Sequence, residues 1–282
     1  MTRPATILSS GIHPQAAPSD AVIIAAGFGS RLRDLGPSKP LTPVEGVALL
    51  EIGIRQAAAA GIRRVTVVTG HEAERVEAAL PLFARRAGVT VRAARLDDWT
   101  RPNGYSVMAG AARIEGPFLL MMADHIFSTS ILRALAQQGA DDRGVTLAID
   151  RRVAGPLIDP EDATWVRTRL DGRIQAIGKT IATYDAVDCG AFLATSELTA
   201  AIDQSIAEGR PGSLSDGMQI LAERGRAATM DIGGHWWIDV DDPHMHALAE
   251  KGIRDHLPDL FRLAERASHP ADWPQVQRVG IV

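Results

Sequence analysis

A glycine-rich loop follows an apolar run near the start of the chain, in the stretch VIIAAGFGSRL at residues 22–32. Backbone N–H groups at residues 27–30 could bind an anion, as they do where a loop leads into a helix. Arg31 lies in the same loop. Lys39 precedes Pro40, which favours an extended backbone that could carry the lysine amine back over the loop. Together these groups predict a positively charged cradle for a triphosphate.

Other interpretations of the loop make different demands. A dinucleotide-binding fingerprint needs a third glycine where this chain has Leu32. A Walker-type loop needs Gly-Lys-Ser/Thr after four intervening residues, and neither GFGSRL nor GPSKPL supplies it. A plain tight turn explains the glycines but not the placement of Arg31 and Lys39. The spacing therefore favours triphosphate binding over hydride transfer with a nicotinamide cofactor or a Walker ATPase.

Acidic side chains occur at the ends of two predicted strands. Asp124 ends the apolar run FLLMMAD, and Asp239 and Asp241 lie two residues apart in WWIDVDD. An extended strand directs such a pair to one face, where the two charges repel unless a cation lies between them. Mg²⁺ prefers carboxylate oxygens of this kind. These three residues are the predicted magnesium ligands, whereas Asp242 before Pro243 is better explained as a helix cap.

Predicted strands and helices alternate through the first 150 residues. Helical spacing in GVALLEIGIRQAAAAG leads into the β-branched run RRVTVVT, and the alternation then returns three more times. This pattern predicts parallel units in a doubly wound sheet, with ligands at the carboxyl ends of the strands. From about residue 151, shorter strands and an Asp171-Gly172 turn predict a small antiparallel extension that faces the substrate. The predicted fold is therefore α/β, a Rossmann-like doubly wound mixed sheet.

The chain divides into three predicted segments. A flexible tail at residues 1–20 is rich in Pro, Ser and Ala and lacks the apolar stretch of a secretory signal. One domain follows at 21–256, and a helix with a tail at 257–282. Apolar side chains of the last segment could serve the core or a homodimer contact: Leu257, Leu260, Phe261 and Leu263.

Charge and composition limit the partners that the protein could bind. The chain has 30 basic and 34 acidic side chains, a net charge of -4, and no basic run that would favour nucleic acid or a membrane. No apolar stretch approaches the roughly 20 residues that span a bilayer. Cys189, the single cysteine, excludes an intramolecular disulfide and fits a cytoplasmic setting. We therefore expect a small-molecule partner.

Four motifs in order, AAGFGSRL, SKPL, ADH and WIDVD, resemble those of the sugar-phosphate-type nucleotidyltransferases over residues 21–256. Within that superfamily the chain is most similar to the CTP:inositol-1-phosphate cytidylyltransferases, through NGYS at 103–106, DGRIQAIGK at 171–179 and VDCG at 187–190. The resemblance implies an Mg²⁺-dependent enzyme that transfers CMP from CTP to inositol 1-phosphate, giving CDP-inositol and pyrophosphate.

The resemblance also implies roles for individual residues. Arg31 and Lys39 would be catalytic, with Lys39 stabilising charge at the α-phosphate. Lys179 would neutralise the phosphate of the acceptor, and Asp188 would face its hydroxyl groups. The nucleotide-binding residues would be Ala25, Ala26, Gly27, Gly29, Ser30, Arg31, Asn103 and Ser106. The metal ligands would be Asp124, Asp239 and Asp241.

Several alternatives stay open at the level of sequence. The nucleotide could be CTP, GTP or another triphosphate, and the acceptor another cyclitol phosphate, phosphocholine, an aminoalkyl phosphonate or a hexose phosphate. The family usually has Thr where this chain has Cys189, a weaker hydrogen-bond donor, so the acceptor pocket could differ. Many relatives carry a fused membrane-embedded phosphatidyltransferase, and we expect none within the 282 residues of this chain. Either a separate enzyme uses the product, or the acceptor is a different cyclitol or small alcohol phosphate. A non-catalytic nucleotide-binding protein is the alternative from a different class.

Overall fold

The computed structural model describes residues 17–36, 38–139 and 143–260. The N-terminal tail predicted at 1–20 lies outside the described residues as far as residue 16. Residues 261–282 of the predicted C-terminal segment, with Phe261 and Leu263, also lie outside them.

The strands of the described chain alternate with seven α-helices and two short 3-10 helices. The strands are β1 (Asp20–Ile24), β2 (Pro43–Val44), β3 (Val47–Ala48), β4 (Arg64–Thr69), β5 (Thr90–Arg95), β6 (Phe118–Met122), β7 (His125–Phe127), β8 (Val145–Asp150), β9 (Trp165–Thr168), β10 (Ile174–Gly178), β11 (Ala186–Ala194), β12 (Ala227–Asp231) and β13 (Trp237–Asp239). The α-helices are α1 (Leu49–Ala59), α2 (Ala73–Ala87), α3 (Asn103–Ala111), α4 (Thr129–Ala136), α5 (Ser196–Ala207), α6 (Leu214–Glu223) and α7 (Pro243–His256), and the 3-10 helices are Ser30–Leu35 and Lys39–Leu41.

A mixed sheet of nine strands forms the centre of the fold. In its parallel part, β1 lies between β4 and β6, and β5 pairs with β4. β11 runs antiparallel to both β6 and β8, and β12 pairs in parallel with β8. The predicted α/β mixed sheet is confirmed.

The antiparallel strands predicted after residue 151 belong to this same sheet. β9 and β10 form a hairpin, whose turn contains Gly172 at a φ of 78°, as the Asp171-Gly172 pair predicts. β9 then pairs with the start of β11, at Ala186 and Val187, while the end of β11 pairs with β6. The hairpin therefore extends the sheet past the carboxyl end of β6, on the side where ligands of such sheets bind.

Helices cover both faces of the sheet. Ala21 and Ile23 of β1 belong to an apolar core that includes side chains of α1, α2 and α4. Val22 and Ile24, the residues between and after them, belong to a second core with α3, α5 and α6. This alternation is the two-residue period of a strand that is buried on both faces, and it explains why the sequence of β1 is continuously apolar.

A third apolar cluster connects α7 with the segments around Leu32, Val44 and Ile238. Leu257 and Leu260 are buried in this cluster. Of the four residues that could serve the core or a dimer contact, these two therefore serve the core. A homodimer stays a prediction.

Two features differ from the simple alternation of strands and helices. The loop after β1 continues into the two 3-10 helices, so that the first α-helix begins only at Leu49. α5 was not predicted. Within the described part of the chain, none of the helices has the length and apolarity needed to cross a bilayer.

Candidate active site

The loop after β1 and the segment around Lys39 line a cavity of about 260 Å³. Gly29 has a φ of 59°, and a Cβ at this position would overlap the Cβ of Lys39. Glycine therefore satisfies two needs here, a left-handed backbone and the close approach of the lysine stem. Six residues predicted to bind the nucleotide or to act in catalysis line this cavity: Ala25, Gly27, Gly29, Ser30, Arg31 and Lys39.

Ala26 lies behind the cradle rather than on its wall. It is 5% exposed and packs in the core on the α3 face of the sheet. Its carbonyl oxygen accepts a hydrogen bond from the N–H group of His71 at 3.0 Å. Ala26 therefore supports the loop from below, and a contact with nucleotide through its side chain or N–H group stays a prediction.

Lys39 lies between two of the predicted metal ligands. Its Nζ atom is 2.5 Å from Oδ2 of Asp124 and also donates a hydrogen bond to Oδ1 of Asp241. Burial alone would lower the pKa of Lys39, but Asp124, Asp241 and Asp239 together raise it above the ordinary lysine value. The amine is therefore held in its charged form at the floor of the cavity.

The three predicted metal ligands come together at the ends of two strands. β13 pairs antiparallel with β7, which places Asp239 opposite His125, and the N–H group of Val240 donates to the carbonyl oxygen of Asp124 at 2.9 Å. Burial, with the charges of Asp124 and Asp241, raises the pKa of Asp239 to about 7. The carboxylates of Asp124, Asp239 and Asp241 thus lie close together in a poorly solvated part of the site.

The same carboxylates fit a divalent cation. Carboxylate oxygens of Asp162, Asp239 and Asp241 lie within 4.8 Å of one another, as do ligand atoms of Asp124, His125 and Asp239. Oδ1 of Asp239 is buried and has no hydrogen-bond partner among the described residues. Hard oxygen atoms in this arrangement, with one of them unsatisfied, suit the coordination that Mg²⁺ prefers.

Arg31 reaches across the cavity to acidic side chains. Its Nη2 atom is 2.6 Å from Oδ2 of Asp241 and 2.6 Å from Oδ2 of Asp162. Asp162 also accepts a hydrogen bond from Nζ of Lys179 at 2.5 Å. A hydrogen bond with Asp241, together with Lys179 and Arg31, holds the pKa of Asp162 well below its usual range. Asp162 therefore bridges Arg31 of the nucleotide cradle and Lys179, which is predicted to bind the acceptor phosphate.

A second cavity of about 220 Å³ adjoins the first. Its wall includes Lys179 and Asp188, the two residues predicted to bind the acceptor, and it shares Asp124 and Asp241 with the wall of the first cavity. Two compartments thus meet at a pair of aspartates next to a buried lysine.

Asp188 is held by its neighbours in the second cavity. Its Oδ1 atom accepts a hydrogen bond from the N–H group of Gly190 at 2.7 Å. Burial raises the pKa of Asp188 to about 6, and the Gly190 N–H group and His125 act in the opposite direction. At neutral pH the group is mostly a carboxylate that can accept hydrogen bonds from hydroxyl groups.

Asn103 and Ser106, predicted to contact base or ribose, lie at the start of α3. Asn103 lines the second cavity, and its Oδ1 atom accepts a hydrogen bond from the N–H group of Leu214 at 2.8 Å. Ser106 is 5% exposed. Their nucleotide contacts stay predictions, since neither residue lines the cavity that the glycine loop forms.

Three residues of the site were not among the predicted ones. His125 has its Nδ1 atom 2.8 Å from Oδ1 of Asp124 and 3.6 Å from Oδ1 of Asp239. Although burial opposes protonation, Asp239 and Asp124 raise the pKa of His125 to about 9. Asp159 and Asp162 come from the loop between β8 and β9. The only sequence signal for His125 was its position next to Asp124.

Comparisons with known proteins find a matching family and several similar chains. The family model described as the MobA-like NTP transferase domain matches residues 21–216. A bifunctional IPC transferase and DIPP synthase of Rubrobacter xylanophilus is 34% identical over 235 residues, 83% of this chain and 51% of that protein. A CMP-5'-(3-aminopropyl)phosphonate synthase of Streptomyces rubellomurinus is 30% identical over 82% of this chain and 38% of that protein. The chain thus spans about half, or less, of the length of these curated relatives.

Among solved structures, that of the inositol-1-phosphate CTP transferase from T. maritima is similar to this fold. The TM-score is 0.74 at 25% sequence identity, and the match covers 85% of this chain and 98% of that one. The match extends over almost the whole of that chain, so the two proteins share the overall fold.

Proposed function

Because this chain belongs to the family of MobA-like NTP transferase domains, we propose that it transfers the CMP group of CTP to inositol 1-phosphate. The products are CDP-inositol and pyrophosphate. The observation that carries this proposal is the pair of adjoining cavities that share Asp124 and Asp241. A transfer between two phosphorylated substrates needs two such compartments with a common floor.

The reaction needs positioning and charge neutralisation more than proton transfer. An oxygen of the acceptor phosphate attacks the α-phosphorus of CTP, and the bond from that phosphorus to the oxygen bridging to the β-phosphate breaks. The electron pair of that bond leaves with pyrophosphate, and no covalent enzyme intermediate forms. A phosphate monoester is largely ionised near neutral pH, so a general base is not required. The enzyme gathers anions that repel one another and stabilises the added charge of the transition state.

The cations of the first cavity perform this task. Lys39 is buried, its pKa is raised by the neighbouring aspartates, and it lies where the two cavities meet, so we assign it to the α-phosphate. Arg31, with a side chain that is 45% exposed, can exchange its carboxylate partners for phosphate oxygens. The N–H groups of the glycine loop supply further donors for the triphosphate.

Mg²⁺ is the proposed metal, held by Asp124 and Asp241, with Asp239 acting directly or through water. When bound, it would neutralise phosphate charge and polarise the bond that breaks. His125 keeps Asp124 oriented through the 2.8 Å contact between its Nδ1 atom and Oδ1.

The second cavity has the chemistry of an acceptor site. Lys179, whose side chain is 57% exposed, would pair with the acceptor phosphate in exchange for Asp162. Asp188 would accept hydrogen bonds from ring hydroxyls, which suits inositol. We also propose the cytoplasm as the setting of the reaction, which agrees with a single, buried, free cysteine.

An aminoalkyl phosphonate is the second candidate for the acceptor. The relative named CMP-5'-(3-aminopropyl)phosphonate synthase matches most of this chain. Asp159, Asp162 and Asp188 make the second cavity acidic, and an acidic wall can hold an ammonium group as well as hydroxyl groups.

Pyrophosphate release over a grid of nucleoside triphosphates and acceptors tests the proposal. The acceptors are inositol 1-phosphate, another cyclitol phosphate, phosphocholine, 3-aminopropylphosphonate and a hexose phosphate. We expect the highest kcat/KM for CTP with inositol 1-phosphate, and CDP-inositol by mass spectrometry. A higher value for CTP with the phosphonate would favour the second candidate. Binding of CTP without turnover of any pair would instead identify a non-catalytic nucleotide-binding protein.

A further inference from the structure

Three aromatic rings, from Phe28, His71 and Trp99, contact one another beside the first cavity, and the proposed function uses none of them. The ring centroid of Phe28 is 4.7 Å from that of His71 and 6.0 Å from that of Trp99, and His71 is 5.2 Å from Trp99. Phe28 is 37% exposed, one of few large apolar side chains of the described residues at the surface. We call these three residues the aromatic cluster.

The aromatic cluster lies at the ligand-binding edge of the sheet. Its members follow β1, β4 and β5, three neighbouring parallel strands that end within one residue of one another in the pairing register. Each ring comes two to four residues after the end of its strand. Ligands of open α/β sheets bind outside these carboxyl ends, so the cluster is placed where part of a ligand is expected.

Backbone contacts join the aromatic cluster to the nucleotide cradle. Phe28 lies between Gly27 and Gly29, which both line the first cavity. The N–H group of His71 donates to the carbonyl oxygen of Ala26. At Gly70, a Cβ would overlap the Cβ of Trp99 and approach the Ala26 carbonyl oxygen to 2.9 Å. The absence of a side chain at Gly70 thus lets Trp99 lie next to the cradle backbone.

The two larger rings of the cluster are parallel and partly exposed. The planes of Phe28 and Trp99 differ by only 5°, so a flat ring could stack parallel to both. The guanidinium carbon of Arg33 lies 4.3 Å from the centroid of Phe28, which adds a positive charge to the same surface. Partly exposed aromatic faces next to a phosphate-binding groove are the composition of surfaces on which nucleobases stack.

We propose that the aromatic cluster is the surface on which the nucleobase of the triphosphate stacks, with Trp99 as the principal ring. This inference rests on the proposed function, because it takes the cradle as the triphosphate site. It assigns affinity for the base to three side chains, of which His71 and Trp99 lie outside the glycine loop. Since every base has an aromatic face, the cluster raises affinity for nucleotides in general and leaves the choice among bases to other contacts.

The experiment compares a ligand that has a base with one that does not. CTP and inorganic tripolyphosphate, each with Mg²⁺, are titrated by calorimetry into wild type, Trp99→Ala, Trp99→Phe and Tyr184→Ala. No acceptor is present, so the readout is binding alone. Tyr184 is the control, because it is 43% exposed and stacks on Trp165 outside both cavities.

We expect Trp99→Ala to weaken CTP binding about tenfold or more, since one base stacked on an aromatic side chain contributes on that scale. Tripolyphosphate binding should change less than about twofold. Trp99→Phe should restore most of the CTP affinity, and Tyr184→Ala should bind both ligands as wild type does. Unchanged CTP binding by Trp99→Ala would overturn the inference. Equal loss of both ligands would also overturn it, by showing that Trp99 supports the cradle.

Circular dichroism checks that each variant is folded. If Trp99→Ala does not fold, Phe28→Ala carries the same comparison of CTP with tripolyphosphate, because Phe28 is 37% exposed and lies outside the apolar cores. The outcomes separate this inference from the proposed function. CTP binding that depends on Trp99, without turnover of any acceptor, would refute the proposed function and keep the inference. Turnover by a Trp99→Ala enzyme with a wild-type KM for CTP would keep the proposed function and refute the inference.

Discussion

Lys39 is the residue on which the proposed chemistry depends most directly. Its amine is buried against Asp124 and Asp241 where the two cavities meet. We expect Lys39→Ala to lower kcat by about a hundredfold or more, because one preorganised charge at the transition state contributes roughly 3 kcal/mol. Steady-state pyrophosphate release from CTP and the best acceptor measures this loss.

Lys251→Ala is the matched control for Lys39. Lys251 is an exposed lysine on α7 and lines neither cavity, so its removal should leave kcat and KM unchanged. A folded Lys39→Ala variant with a near-normal rate would contradict the assignment of this amine to the α-phosphate.

Asp188 links the acceptor site to the pH dependence of stability. Its pKa of about 6 lies above that of an unfolded aspartate, because burial disfavours the charged form. Its contribution to stability is therefore complete below about pH 4 and is lost as the pH rises through about 6. Asp188→Asn removes this loss, so the variant should exceed wild type by about 3 kcal/mol in unfolding free energy at pH 8 and match it near pH 4.

Urea unfolding of both proteins at the two pH values measures the difference. The asparagine keeps an oxygen for the N–H group of Gly190, so the local backbone should be preserved. We also expect a higher KM for the acceptor and an unchanged KM for CTP, since Asp188 lies in the second cavity. Equal stability differences at both pH values would show that burial of the charge is not the cause.

Sequence reasoning placed Lys39, Asp124 and Asp241 at one site because each lies in a short motif with a physical role. Asp162 was missed for an equally physical reason. It lies in LIDPEDATW, three residues after Asp159, and the Asp159-Pro160 pair is typical of an ordinary turn. Only the folded chain brings it to Arg31, which is 131 residues away along the sequence.

At the scale of elements, the turn after β1 determines where Lys39 lies. Gly29 has a left-handed backbone, and a Cβ there would overlap Lys39. We expect Gly29→Ala to destabilise the protein by about 1 kcal/mol through backbone strain and to reduce kcat/KM for CTP by about tenfold through displacement of the amine. Thermal unfolding and pyrophosphate release measure the two effects separately.

The Gly46→Ala variant separates the effect of backbone strain from that of displacing the Lys39 amine. Gly46 also has a left-handed backbone, with a φ of 77°, but a Cβ there would meet no atom within 4 Å. This variant should lose similar stability and keep its activity. If both variants lost activity alike, a general effect of backbone strain would replace the specific contact with Lys39.

Elements with strong local signals were predicted closely. α7 begins at Pro243, and Asp242 accepts the hydrogen bond from the N–H group of Met245 that a helix cap requires. α5 was missed although it carries a comparable signal, a capping Thr195 before apolar residues at helical spacing. The order of the strands could not be predicted from the sequence, because the position of β11 between β6 and β8 depends on contacts between distant segments.

At the scale of the whole molecule, the site exists only where distant parts of the chain meet. Asp124 lies two residues after β6, Asp239 is the last residue of β13, and Asp241 lies two residues after it. The third apolar cluster holds the β13 segment against Leu32. The carboxylates therefore belong to the folded state alone. Any ligand that bridges them must bind the native protein in preference to the unfolded chain.

This coupling predicts that Mg²⁺ and CTP together stabilise the protein. Ligand at about 100 times its Kd adds about 2.7 kcal/mol to the unfolding free energy, which corresponds to a rise in Tm of roughly 5 °C or more for a chain of this size. We expect EDTA to remove most of the rise, because the triphosphate and the carboxylates repel each other without the cation. Asp241→Asn should show little rise at the same concentrations, whereas Asp203→Asn, an exposed position on α5, should behave as wild type. Differential scanning fluorimetry measures all four conditions. A rise that survives EDTA would show that the metal is not needed, and a rise that survives Asp241→Asn but not EDTA would place the metal elsewhere.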